Sequence, residues 1–253
     1  VRAAVIDLDH NGMLSTVTRL LELGVSQSVL SDLDRFRYAE PEDKIELLAV
    51  VRDLVKWKPD VVVIDSIGEL LPAMGLNSNS PDDFTIAHTH VLKPLARAGC
   101  CVIVIDHVAK NPDSKAQGPT GTVAKSRAIG GVSLRVKVDR PFTPGQGGSA
   151  FLSIRKDRHG GLRAKSPTGD KEPLAGTFRL LPEGSSNKWS VRSPESGDRL
   201  PDAAPAEDLE TLLTLDPPPR TVRDLRERLN WGNDRATIAL RVFRQQFETA
   251  EAA

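Results

Sequence analysis

The 253-residue chain sets 34 Lys plus Arg against 34 Asp plus Glu, so its formal net charge is zero. No global basic field draws it to nucleic acid, and any such surface must be local. Hydrophobic residues at 39% and charged residues at 27% fit a globular protein and exclude a disordered or fibrous one. No apolar run approaches membrane-spanning length, and two adjacent cysteines, read as reduced thiols, point to the cytoplasm.

The chain opens on Val1, inside what reads as a strand, with neither an initiator methionine nor a cationic-apolar leader. It therefore reads as a fragment or a processed chain. Ala3 to Leu8 form that strand, and Asp9-His10-Asn11-Gly12 form the turn after it. A helix follows, with Met13, Val17, Leu20 and Leu21 at helical spacing and Gly24 as its stop. Asp34 to Tyr38 read as a short edge strand. Pro41-Glu42-Asp43 then open an amphipathic helix carrying Ile45, Leu48, Val51, Leu54 and Val55.

Val61 to Ser66, V-V-V-I-D-S, has the form of a parallel strand buried on both faces that delivers an acid and a hydroxyl to the carboxyl edge of a sheet. Gly68 to Asn79 read as a loop. Ser80-Pro81-Asp82-Asp83 is a helix start with cap, first-turn proline and acids, and that helix runs to about Ala98 with a kink or tightening at Pro94. Cys101 to His107 repeat the apolar-strand-then-acid form. The adjacent Cys100 and Cys101 read as buried, reduced thiols, and without C-x-x-C spacing they predict no structural zinc. The rhythm so far is β-α-β-α-β-α-β, which implies a parallel sheet with right-handed crossovers.

From Lys110 the character changes. Asn111 to Gly121 form a polar loop, and Val132 to Val138, Ala150 to Lys156 and Thr177 to Leu181 alternate like antiparallel strands extending the sheet. Lys156-Asp157-Arg158-His159-Gly160 reads as a charged turn. Residues 1–192 thus form an α/β core and residues 193–206 a linker without apolar periodicity. Residues 207–253 form a helical module. There Leu209, Leu212 and Leu213 lie on one helix, Thr221 caps a second with Val222, Leu225 and Leu229, and Trp231-Gly232-Asn233 turns into a third with Ala236, Ile238, Leu240, Val242 and Phe243. Helix, capped helix, tight turn and longer basic helix is the sequence form of a helix-turn-helix or winged-helix DNA-binding unit. Arg235, Arg241 and Arg244 are placed to meet phosphates or base edges. A small protein-docking bundle would need the same apolar spacing.

Ligands of open α/β sheets gather at the carboxyl ends of neighbouring strands, so Asp65 should lie near the Asp106-His107 pair. The polar residues also stand in a familiar order. The segments A-A-V-I-D-L-D-H, R-L-L-E-L-G-V, D-R-F-R-Y, V-V-V-I-D-S, L-A-R-A-G, V-I-V-I-D-H-V-A-K-N and R-K-D-R-H-G resemble RecA-like ATPases of the hexameric replicative-helicase, RepA-like type. The resemblance covers about residues 1 to 165, and its specificity lies in the ordered set.

That resemblance implies ATP and Mg²⁺ as ligands, DNA as a partner and a self-assembled ring. Asp65 would organise Mg²⁺ through water with Ser66 beside it, and His107 would contact the attacking water or γ-phosphate. Asp9 stands where this family usually places Glu, the base that orients the attacking water, and it is one methylene shorter. Lys125, and after it Arg127, would send a cation into a neighbouring subunit's nucleotide. The family's phosphate loop, G-x-x-x-x-G-K-[ST], does not occur in these residues. Gly118 to Ser126 imitate it, but Ala124 precedes the lysine where close phosphate approach needs glycine, and the spacing is one residue too long. The complete protein would then couple ATP hydrolysis to DNA replication or mobile-element DNA processing. The reading from a different class is a non-enzymatic DNA-binding regulator with a RecA-like assembly core.

Overall fold

The computed structural model describes residues 1–78, 80–107, 123–184, 186–194 and 206–244; the polar loop at 111–121 and most of the linker at 193–206 lie outside them. The chain divides between Asp198 and Arg199 into two compact units.

The first unit is α/β and opens with a four-stranded parallel sheet. β1 (Ala3–Asp7) sits between β2 (Phe36–Ala39) and β3 (Val61–Asp65), and β4 (Cys101–Val104) lies beyond β3, giving the order β2-β1-β3-β4. α1 (Met13–Glu22) and α2 (Gln27–Leu30) connect β1 to β2. α3 (Lys44–Trp57) carries the chain back past β1 to β3. α4 (Ile67–Ala73), α5 (Pro81–Ala87), a π turn (His88–Leu92) and α6 (Lys93–Arg97) lead to β4. The strand order reverses between β1 and β3. Right-handed crossovers then set α1 and α2 on one face of the sheet and α3 to α6 on the other.

The α3–α6 face holds the core. Ile6, Val62 and Ile64 from the strands meet Leu47, Leu70, Ala87, Val91 and Leu95 from the helices, all at 0% exposure. The reason is period matching. Alternate strand residues face the helices, and the helical residues recur three and four apart. α3 is stopped and started by its own chemistry: Asp43 accepts from the backbone N–H of Ile45 and Glu46, and Lys58 ends the helix in the left-handed region. The β3 strand is fully buried on the helical face only. Val61 and Val63 are half-buried, and Ile103 of β4 is exposed. The same alternation separates the cysteines, Cys100 buried and Cys101 exposed, which corrects the reading of both as buried.

Two further differences have clear causes. The stretch after Ser66 is a helix where a loop was expected, because Ile67, Leu70, Leu71 and Met74 fall at helical spacing and all four are buried. The helix before Pro94 widens into a π turn instead of tightening.

Beyond α7 (Val123–Ala128) come β5 (Val132–Thr143), β6 (Gly147–Asp157), β7 (Leu174–Glu183) and β8 (Ser186–Arg192). They pair in that order as an antiparallel sheet of their own, and among the described residues no ladder joins it to the parallel sheet. Gly147 at φ +73° is required there: a Cβ would stand 2.0 Å from the Leu180 carbonyl oxygen.

Among the described residues the second unit contains three helices, α8 (Ala206–Leu213), α9 (Val222–Leu229) and α10 (Asn233–Phe243). Leu212, Leu225, Ala236, Ala239, Leu240 and Phe243 form its core. Thr221 caps α9 through the Asp224 N–H, and Asn230 at φ 52° turns the chain into α10. No wing strand follows among the described residues.

Candidate functional site at the strand ends

Asp65 ends β3, Asp9 lies two residues past β1, and His107 lies three past β4. Adjacent parallel strands in register place these ends side by side; Asp7 pairs with Asp65 across the ladder. The ligand-type atoms of Asp9, Asp65 and His107 all lie within 4.8 Å of one another. They sit where the strand order reverses, the crevice in which open α/β sheets hold ligands.

Asp9 is held from two sides. Its Oδ1 accepts from the Ser66 backbone N–H (2.9 Å) and hydroxyl (2.7 Å), and its Oδ2 lies 3.3 Å from His107 Nε2. Burial would raise the Asp9 carboxyl, but the hydrogen bonds from Ser66 and His107 together outweigh it and leave the group below the usual carboxylate range. Asp65 is its opposite. Burial pushes its carboxyl up, and the charges of Asp9 and Asp7 push it further. Among the described residues no donor reaches its side chain, so two neighbouring carboxylates sit in contrasting states.

A buried network that the sequence reading missed shapes the Asp9 loop. Asp7, 1% exposed, accepts from Tyr38 Oη (2.7 Å), from the Asn11 N–H (3.0 Å) and from Asn11 Nδ2 (3.2 Å). The Gly12 N–H donates to Glu40 Oε1 at 2.9 Å, and Gly12 adopts φ +93°, open to glycine. Burial and the Asp7 hydrogen bond raise the Tyr38 phenol, so it serves as a fixed donor. The only sequence signal for this network was a second acid two residues before Asp9.

Lys125 does not point outward from the chain. Its Nζ contacts both carboxylate oxygens of Asp106, at 3.2 and 3.3 Å, with the lysine side chain 11% exposed. Burial raises the Asp106 carboxyl and the Lys125 charge opposes that rise. Arg127 is exposed on the same short helix, α7. The end of α7 is held by Lys156, whose Nζ donates to the carbonyl oxygens of Ser126 (2.7 Å), Arg127 (3.3 Å) and Ile129 (2.9 Å). Asp157 next to it accepts from four backbone N–H groups, those of Arg163 and Leu162 first, which holds its carboxyl low. The charged turn is thus a self-capped loop that braces α7.

In the second unit, Arg235 donates twice to Asp208, at 2.6 and 3.1 Å, and lies 4.2 Å from the Trp231 ring centroid. Asp208 is 1% exposed. Arg235, one of the three arginines expected to meet DNA, is therefore paired inside its own unit. Arg244 donates to the Arg220 carbonyl, and Arg241 is half-exposed on α10.

No family model matches the chain, and no curated protein matches it. Among solved structures it is similar to the RadB recombinase, with 17% identity over 74% of this chain and 78% of that one and a TM-score of 0.48. It is also similar to a KaiC-like protein from Pyrococcus horikoshii, with 10% identity over 75% of each chain and a TM-score of 0.48. Among the described residues no helix is long and apolar enough to cross a membrane.

Proposed function

We propose that these residues form the strand-end half of a RecA-like nucleotide-hydrolysing site, in a protein that couples ATP hydrolysis to work on DNA as a self-assembled ring. The observation that carries this reading is the convergence of Asp9, Asp65 and His107 at the reversal of strand order. Asp65 fits a hard divalent cation bound with nucleotide, because among the described residues no donor occupies its carboxylate. Bound there, Mg²⁺ supplies charge neutralisation for phosphoryl transfer.

The chain's own groups do the rest. Asp9, kept ionised by Ser66 and His107, is the base that orients and deprotonates the attacking water. Ser66 holds Asp9 Oδ1 and His107 lies against Oδ2, which fixes the carboxylate's orientation, while its reach stays one methylene shorter than that of Glu. His107 bridges Asp9 and the end of β4, and so relays nucleotide state along that strand. Lys125, which Asp106 positions, is the cation directed at a neighbouring subunit's nucleotide in this proposal, with Arg127 exposed beside it as the second candidate. Phosphate cradling must come from residues beyond these, because no G-x-x-x-x-G-K-[ST] occurs here. β4 suits that addition: its outer edge has no partner strand among the described residues, and Ile103 and Ile105 are exposed.

The second unit is the DNA contact in this proposal, through Arg241 and Arg244. The non-enzymatic regulator is favoured by one observation: both Asp9 oxygens already have partners, as a purely structural carboxylate would.

The deciding experiment measures turnover in a form that includes an upstream phosphate loop. Asp65→Asn and Asp9→Asn should each lower hydrolysis at least ~100-fold. Unchanged turnover in either removes that residue's role. The 253 residues alone should bind ATP weakly, and sub-micromolar affinity by calorimetry would contradict the need for an added loop.

A further inference from the structure

We infer that Asp9, Asp65 and His107 bind a first-row divalent cation such as Mn²⁺ directly, with no nucleotide present. This deepens the reading of the strand-end site and rests on it for location only. A Mg²⁺ ion in a nucleotide site keeps most of its waters and is shared with phosphates. The geometry here offers something more. Three donors come from three separate strand ends, one of them an imidazole nitrogen, and all lie within 4.8 Å of one another. Donors on one ion at about 2.1 Å stand roughly 3 to 4 Å apart, so small side-chain movements close the set.

Two features of the cluster call for a cation. The Asp65 carboxylate lies within 4.8 Å of the Asp9 ligand atom, with Asp7 as its ladder partner, and receives no donor among the described residues. Asp9 Oδ2 and His107 Nε2 face each other across 3.3 Å, a gap that one ion can bridge in place of a proton. The support behind them is of the kind metal sites use: Ser66 fixes the other Asp9 oxygen with two hydrogen bonds, which sets the carboxylate's orientation before an ion arrives.

The donor types decide the ion. Mg²⁺ dehydrates reluctantly and binds imidazole poorly, whereas an imidazole beside two carboxylates favours a first-row transition ion, of which Mn²⁺ is the one best matched to oxygen ligands. His107, with a 67% exposed side chain, can turn onto an ion without disturbing the core.

The test is a Mn²⁺ titration of the whole chain without nucleotide, following loss of the free-ion electron paramagnetic resonance signal. One ion per chain is expected. His107→Ala and Asp65→Asn should each weaken it at least ~10-fold, and Mg²⁺ should displace it only in excess of ~10-fold or more. Because His107 is exposed, His107→Ala keeps the test decisive should Asp65→Asn unfold; a melting curve for each variant shows which has happened. No stoichiometric site, full affinity retained in His107→Ala, or Mg²⁺ competing on equal terms would each overturn the inference. If Mn²⁺ fails to bind while hydrolysis in the longer form still depends on Asp65, the inference falls and the proposed function stands. Mn²⁺ binding in a protein without hydrolysis gives the reverse result.

Discussion

The parallel strands of the first unit are apolar runs and the antiparallel strands alternate, and only the parallel sheet lies under a full layer of buried apolar residues; the antiparallel sheet buries a few, Ala150, Ile154 and Leu174 among them. In the parallel sheet, Ile6, Val62 and Ile64 disappear under α3 to α6. In the antiparallel sheet, Val136 pairs with Leu152, Ala150 pairs with Val138 and Phe178, and Phe178 pairs with Val191, so they share one apolar face. That face leaves Val136 62% and Trp189 55% exposed. Connectivity explains the difference. Every parallel connection must cross over, and the crossover brings its own helix to cover the sheet. Hairpin connections bring nothing. The same contrast governs chemistry, since parallel strands all end at one edge and gather Asp9, Asp65 and His107 there.

The strongest way to break this comparison is to shorten one residue in each sheet. Ile64→Ala should cost about 2–5 kcal/mol, because it opens a cavity under four helices. Val136→Ala should stay within about 0.5 kcal/mol, as exposed positions do. Urea unfolding of the whole chain measures both. Equal costs would mean that Val136 is covered in solution.

The next effect in size belongs to the second unit. Arg235→Ala strands the buried Asp208 carboxylate and should cost about 3 kcal/mol; Asp208→Ala leaves a half-exposed guanidinium that water can reach and should cost about 1–2 kcal/mol. Thermal unfolding followed at Trp231 orders the two. The reverse order would assign Arg235 outward. DNA binding is then best probed with Arg241→Ala plus Arg244→Ala, which leaves the Asp208 pair intact. On the proposed reading this double variant flattens the salt dependence of duplex binding by up to about two counterions.

Much of the first sheet was legible because β1, β3 and β4 are apolar runs ending in acids, and local pattern alone marks such strands. Helix α4 was hidden by Gly68 and Pro72, which look like breakers, while the buried positions Ile67, Leu70 and Leu71 carried the true period. β8 was hidden because Lys188, Ser190 and Arg192 interrupt its apolar members. At the site, the order of strand ends sufficed to bring Asp9, Asp65 and His107 together. Their supports did not follow from it. Ser66 meets Asp9 across 57 positions and Tyr38 meets Asp7 across 31, and such partnerships depend on register and side-chain reach. The Lys125–Asp106 pair was missed for the same reason. The Arg235–Asp208 pair was missed because charge at helical spacing reads as a solvated face.

Capping gives a smaller and sharper comparison between the units. Asp43→Ala removes two hydrogen bonds from the start of α3, and Thr221→Ala removes one from α9. Each should cost about 1 kcal/mol, with Asp43 the larger. Amide exchange at the first turn of each helix reads the loss locally. Unchanged protection at Ile45 and Glu46 would remove the Asp43 cap.

The smallest expected effect has the opposite sign. Asp65 carries a raised carboxyl, so the folded chain holds its proton at pH values where the unfolded chain, near 3.8, has released it. Stability therefore falls as pH rises from 3.8 through the folded value, and above that value the whole penalty is present. Asp65→Asn cannot ionise and escapes it. At pH 7 and without divalent cations, the variant should melt slightly higher than the parent, and the gap should close as the pH drops toward 3.8 and below. Asp9 gives the mirror image. Its lowered carboxyl stabilises the fold above 3.8, and that gain is lost as pH falls through the folded value, so Asp9→Asn should melt lower at pH 7. Added Mn²⁺ should raise the parent's melting temperature and leave Asp65→Asn behind, reversing their order, because an ion bound only by the folded state stabilises it by mass action. An Asp65→Asn chain that melts lower than the parent at neutral pH without metal would mean that this carboxylate already has a partner and that the strand-end cluster is not short of positive charge.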